Sequence, residues 1–168
     1  MKIWMLHLVL LLVLSVGTVV SSLAAEKADL GNYSSNEPIE ISSDRLEGND
    51  KTGVAKFSGK VVAKQGDVTI YADEVDIYYQ AGTRDVEKVV ALKDVRIVQG
   101  ERVATGDKAI FYHQQGKVVL SGDPKVHQGQ DFVQGDEITV FLDDERSVVT
   151  AKEGARVNAV FHPQGEQK

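Results

Sequence analysis

The chain has 168 residues, a formal net charge of -6 and no cysteine. Its length favours a single domain, and a hydrophobic content of 42% is enough for a packed core. The excess of acidic over basic residues argues against nucleic acid as a partner, and the absence of cysteine excludes thiol catalysis, disulfides and Cys-ligated metals.

The N-terminus has the pattern of an export signal. Lys2 precedes an uncharged run from residue 3 to residue 25, and Ser22-Leu23-Ala24 fits a cleavage site. We predict a cleaved signal peptide at residues 1–24 and a linker at residues 25–36. The alternative is an uncleaved membrane anchor, because the uncharged run is long enough to cross roughly 30 Å of hydrocarbon as a helix.

A repeat follows the linker. Four segments share the pattern apolar-x-small-Asp-x-apolar, and their aspartates are separated by 29, 34 and 29 residues. These aspartates are Asp44, Asp73, Asp107 and Asp136. Three Gln-Gly pairs interleave with them, at residues 65–66, 99–100 and 128–129. Apolar residues precede each pair at odd offsets, with polar neighbours between them, which is typical of half-buried antiparallel strands.

The apolar positions change parity across each small-Asp step. A straight strand would therefore turn its apolar side chains to the opposite face, so each step predicts a bulge or corner. Two strands per repeat predict an elongated all-β antiparallel jelly roll or short solenoid over residues 37–161. Its terminal strands would have unpaired edges, which favours end-to-end partners. Residues 162–168 are predicted to form a disordered tail.

Patterns for catalysis and metal binding are weak. The repeated aspartates are about 30 residues apart, unlike the clustered ligands of a calcium loop, and corner formation explains them better. The histidines lack metal-ligand spacing, and Asp143-Asp144 is most simply a solvated turn. We expect no enzymatic activity, no cofactor and no metal site.

Three motifs occur in order near the start of the predicted domain. They read Pro38-Ile39-x-Ile41-x-x-Asp44-x-Leu46, then Phe57-x-Gly59-x-Val61-x-x-x-Gln65-Gly66, then Ile70-x-Ala72-Asp73. In this combination the sequence resembles the OstA-like family of lipopolysaccharide transport. The resemblance implies a periplasmic β-jelly roll, with acyl chains shielded in an apolar groove and protomers joined end to end.

The resemblance also implies a set of partners. They are lipopolysaccharide through its lipid A acyl chains, an inner-membrane LptC-like protein, the N-terminal OstA domain of an outer-membrane LptD-like protein, and further copies of the chain, head to tail. The alternatives are a membrane-anchored relative in the same pathway and an envelope structural protein without a lipid ligand.

The inward apolar face supplies the predicted lipid-binding residues. They are Ile39, Ile41, Leu46, Phe57, Val61, Ile70, Val75, Ile77, Val95, Ile97, Ala109, Phe111, Leu120, Ile138 and Val140. The residues predicted for the end-to-end interface are Ile39 and Ile41 in the first rung, and Val149, Ala151 and Val157 in the last.

Overall fold

Alternating apolar and polar side chains form strands over most of the chain that the structure describes. The computed structural model describes residues 37–83, 85–142 and 146–163. The strands in these ranges are β1 Glu40–Ser42, β2 Arg45–Asn49, β3 Val54–Gln65, β4 Val68–Tyr79, β5 Val86–Gln99, β6 Arg102–Tyr112, β7 Lys117–Ser121, β8 Lys125–Gln128, β9 Asp131–Gln134, β10 Glu137–Phe141, β11 Arg146–Thr150 and β12 Asn158–Val160. A 3₁₀ turn, His113–Gln115, follows β6. The predicted signal peptide, the linker, Asp143-Asp144 and residues 164–168 of the predicted tail lie outside the described residues.

The twelve strands form one antiparallel sheet that does not close on itself. The sheet is creased, and we name its two halves. The first leaf has the order β2-β3-β4-β5-β6-β7-β10-β11, and the second has the order β1-β3-β4-β5-β6-β8-β9-β12. Strands β3 to β6 cross the crease and belong to both leaves. The all-β jelly-roll prediction is confirmed, and none of the helical segments within the described ranges is long and apolar enough to cross a membrane.

The predicted corners lie along the crease. Asp44 separates β1 from β2, and Asp136 separates β9 from β10. The register between β4 and β5 shifts around Ala72-Asp73, and at Gly106-Asp107 the partner of β6 changes from β8 to β7. The corner prediction is therefore confirmed at all four repeats.

A second series of corners alternates with the first. It consists of Gly59-Lys60, Lys93-Asp94 and Gly122-Asp123, and both residues of each pair have positive φ. Backbone hydrogen bonds tie the two series together, from Asp44 N–H to the Gly59 carbonyl at 3.0 Å and from Asp107 N–H to the Gly122 carbonyl at 3.0 Å. A Cβ on Gly59 would overlap the Asp44 carboxylate, so a residue without a side chain is required there.

The hydrophobic core lies beside the crease. Its buried members come from both leaves and are Val61, Ala72, Val75, Ala91, Val95, Ala109, Leu120 and Ile138. Burying a Val, Leu or Ile side chain contributes about 1.5–3 kcal/mol. This cluster therefore holds the two leaves together at the crease.

The outer face of the first leaf has a row of alternating aromatic and cationic side chains. In strand order the row is Tyr78, Lys88, Tyr112, Lys117, Phe141 and Arg146. The Lys88, Lys117 and Arg146 cations lie over the rings of Tyr78, Tyr112 and Phe141 at 4.6, 4.9 and 4.1 Å from the ring centres. Cation–π contacts of this kind stabilise the outer surface of the sheet where β4, β6 and β10 end.

Candidate functional site: the groove between the leaves

A cavity of about 780 Å³ lies between the two leaves, next to the core cluster, and four residues of the cluster also line it. The first leaf lines it with Val75, Ile77, Val89, Ala91, Ala109, Phe111, Val118, Leu120 and Val140. The second leaf lines it with Ile41, Ala63, Ile70, Ile97, Ala104 and Val126. These side chains share the inner face because cross-strand partners point to the same side of a sheet. We call this cavity the groove.

Polar residues form the two rims of the groove, which we call its lips. The lip of the second leaf carries Glu37, Gln65, Gln99 and Arg102, and the lip of the first leaf carries Gln80, Asp85, His113 and Gln114. The glutamines of the Gln-Gly repeat therefore lie where the strands turn. Gln65 Nε2 donates to the Glu37 carbonyl at 2.9 Å, Gln99 Nε2 to Asp67 at 3.1 Å, and Arg102 Nε to Gln128 at 3.0 Å.

Ten of the predicted lipid-binding residues line the groove. They are Ile39, Ile41, Ile70, Val75, Ile77, Ile97, Ala109, Phe111, Leu120 and Val140. Val61, Val95 and Ile138 are buried in the core beside the crease, and Phe57 packs against that core without lining the groove. Lipid contact at all these positions stays a prediction.

Leu46 lies outside the groove, and lipid contact at this position stays a prediction. It pairs with Phe57 and so points to the inner side, but 59% of it is exposed and it does not line the groove. Strand β2 is at the edge of the first leaf, where its described pairing is with β3 alone. An inward direction at an edge strand therefore does not produce burial.

Several lining residues were absent from the predicted set. Ala63, Val89, Ala91, Val118 and Val126 occupy inward offsets of the repeat, so the period-two signal could have included them. Val68, Val86, Leu142 and the polar lip residues lie close to turns. Turns end the alternation, so the sequence gives no signal for those positions.

The residues predicted for the end-to-end interface lie at opposite ends of the strand order. Ile39 is 48% exposed beside edge strand β1, and Val157 is 43% exposed just before edge strand β12. Val149 on β11 pairs with Ile138 and packs against the core, while Ala151 follows β11 and is half-buried. Strands β1 and β2 thus form one open end, and β11 and β12 the other.

The perturbed titratable groups lie outside the groove. Burial raises the pKa of Asp76 on the outer face of β4, and a hydrogen bond from Lys56 lowers the pKa of Glu74. A hydrogen bond from His162 lowers the pKa of Asp131 near the C-terminal end. Within the described ranges, no group of three or more His, Asp or Glu residues is placed to hold a metal.

Comparison with known proteins gives the family. The family described as LptA/(LptD N-terminal domain) LPS transport protein matches residues 40–146. The chain belongs to this family. That match covers most of the described sheet, from β1 to the start of β11. The membership confirms the OstA-like, lipopolysaccharide-transport resemblance found in the sequence.

Similarity to individual proteins agrees with this placement. The lipopolysaccharide export system protein LptA of Escherichia coli K12 is 27% identical over 134 residues, covering 76% of this chain and 72% of that protein. An uncharacterized protein of Rhizobium meliloti is 29% identical over 142 residues, covering 80% and 76%.

The fold also matches a solved structure. Pseudomonas aeruginosa LptH, described as the LptA-homologous periplasmic component of the lipopolysaccharide transport device, superposes with a TM-score of 0.67. The match has 24% identity and covers 76% of this chain and 96% of LptH. It supports the same jelly-roll fold.

Proposed function

We propose that this protein binds lipopolysaccharide in the periplasm, shields its acyl chains between the two leaves, and joins end to end into a bridge between the inner and outer membranes. The observation that carries the proposal is the apolar groove of about 780 Å³ bounded by polar lips. Family membership in lipopolysaccharide transport supports the choice of ligand.

The groove suits an acyl chain physically. Each methylene removed from water contributes about 0.8 kcal/mol. Small side chains at Ala63, Ala91, Ala104 and Ala109 reduce how far each leaf projects into the space between them. The polar lips leave the headgroup at the solvent boundary, so an amphiphile would satisfy both of its parts.

Open sheet edges support the assembly part of the proposal. Unpaired strand edges form hydrogen bonds readily with another strand. Because the two ends of this molecule are different, an end-to-end contact is heterologous and propagates. The same geometry would let one end meet an LptC-like protein and the other the N-terminal OstA domain of an LptD-like protein.

Photo-crosslinking tests the groove. Benzoylphenylalanine replaces Phe111, which lines the groove, and in a matched variant replaces Tyr71, which is exposed on the outer face of β4. We expect ultraviolet light to attach lipopolysaccharide to the Phe111 variant and not to the Tyr71 variant. Equal capture at both positions, or capture at neither, would contradict binding between the leaves.

A further inference from the structure

A second cleft lies on the outer face of the first leaf, beside the lip of the groove. Its volume is about 420 Å³, and its lining residues are Gln80, Glu87, Lys88, Tyr112, Gln114 and Gln115. Gln80 and Gln114 line both this cleft and the groove. The two cavities therefore adjoin each other across the lip.

Residues 111–115, at the end of β6 and in the turn that follows it, line both cavities. Phe111 points into the groove, and the next residue, Tyr112, points to the outer face. The 3₁₀ turn that follows places Gln114 at the lip of the groove and Gln115 in the cleft. Hydrogen bonds hold the surrounding loops, from Gln80 N–H to the Asp85 carbonyl at 2.9 Å and from Leu142 N–H to the Gly116 carbonyl at 2.7 Å.

The cleft and the groove differ in chemistry. Each glutamine carboxamide offers both donors and an acceptor, and Tyr112 adds a ring with a hydroxyl. Gln114 and Gln115 are exposed and Gln80 is half-buried, so their carboxamides can reach a ligand in the cleft. Glu87 and Lys88 supply one negative and one positive group.

These groups match a saccharide better than an acyl chain. Sugar hydroxyls both donate and accept hydrogen bonds, as carboxamides do, and the C–H face of a sugar ring packs on an aromatic ring. An acyl chain has no polar group to pair with the cleft. The polarity of the cleft thus complements the part of a glycolipid that the groove cannot accept.

We propose that this cleft binds the saccharide headgroup of the same glycolipid whose acyl chains occupy the groove, with the molecule crossing the lip at Gln80 and Gln114. The inference rests on the proposed function, since the acyl chains anchor the ligand. The cleft on the first leaf would then bind the sugar part of the ligand through hydrogen bonds, while the groove binds the acyl chains because they are apolar.

The test is a double substitution, Tyr112→Phe/Gln115→Ala, with two ligands, because both residues line the cleft and neither lines the groove. Removing one hydroxyl and one carboxamide is expected to weaken lipopolysaccharide binding by about 5- to 10-fold. Binding of a fluorescent fatty acid, which has no saccharide, should be unchanged. Gln130→Ala, in the exposed β8–β9 turn, is the matched control and should change neither affinity.

The outcomes separate this inference from the proposed function. If the double variant binds lipopolysaccharide as tightly as the wild type, or loses affinity equally for both ligands, the cleft is not a saccharide site. If the wild type binds neither lipopolysaccharide nor the fatty acid, the proposed function itself fails.

Discussion

Asp76 is the buried carboxylate of the outer face. It is only 9% exposed, its Oδ1 atom has no hydrogen-bond partner, and Lys56 Nζ lies 4.0 Å from that atom. Burial raises the pKa of Asp76, and the nearby Lys56 opposes this effect less strongly. In the folded state the carboxyl therefore holds its proton to a higher pH than in the unfolded chain. Stability contributed by this group is present at low pH and is lost as pH rises through the raised pKa.

We predict that Asp76→Asn stabilises the protein at pH 7 by about 1 kcal/mol, because it removes a buried charge. At pH 3 the aspartate is protonated, so the difference should vanish. Urea unfolding at both pH values measures the effect, and Asp50→Asn in an exposed turn is the control. A less stable variant at pH 7 would mean that attraction to Lys56 outweighs the cost of burial.

The corners are the elements that turn one sheet into two leaves. Gly59 has φ of +83° and lies against Asp44, whereas Gly82 has φ of +79° in a loop where an added Cβ meets nothing within 4 Å. We predict that Gly82→Ala costs about 1 kcal/mol from backbone strain alone, and that Gly59→Ala costs at least twice as much. Urea unfolding of both variants checks this, and equal costs would show that Asp44 moves aside freely.

The period-two pattern predicted the corners at the small-Asp steps, but it did not predict the second series of corners. Parity changes at each small-Asp step revealed where β4 and β6 bend. The bend of β5 was not predicted because it contains no glycine: Lys93 and Asp94 adopt positive φ there, a conformation that is uncommon for residues with side chains. The inward face of the groove followed from alternation, but the exposure of Leu46 depends on strand order, which alternation does not encode.

At the scale of the whole molecule, the two open ends are the surfaces through which we propose that protomers join. We predict that the mass of the protein in solution grows with concentration by whole protomers. Val157→Asp should weaken this association by about tenfold or more, because it puts a charge into an apolar contact. Tyr71→Asp, which adds a charge at an exposed site of central strand β4, should leave it unchanged. Light scattering across a concentration series gives the masses, and a mass fixed at one or two protomers would contradict head-to-tail growth.

The order of the strands also has a consequence for how the chain folds. In the central region each strand pairs with the strands next to it in sequence, as β3 with β4, β4 with β5 and β5 with β6. All-β proteins commonly fold slowly because their contacts join distant parts of the chain. In this protein the central strands are joined by short hairpin loops, so their first contacts form between residues that are close in sequence. We therefore expect nucleation in the central hairpins and outward propagation, as in a one-dimensional array, so that the edge strands are the last to dock and the first to detach.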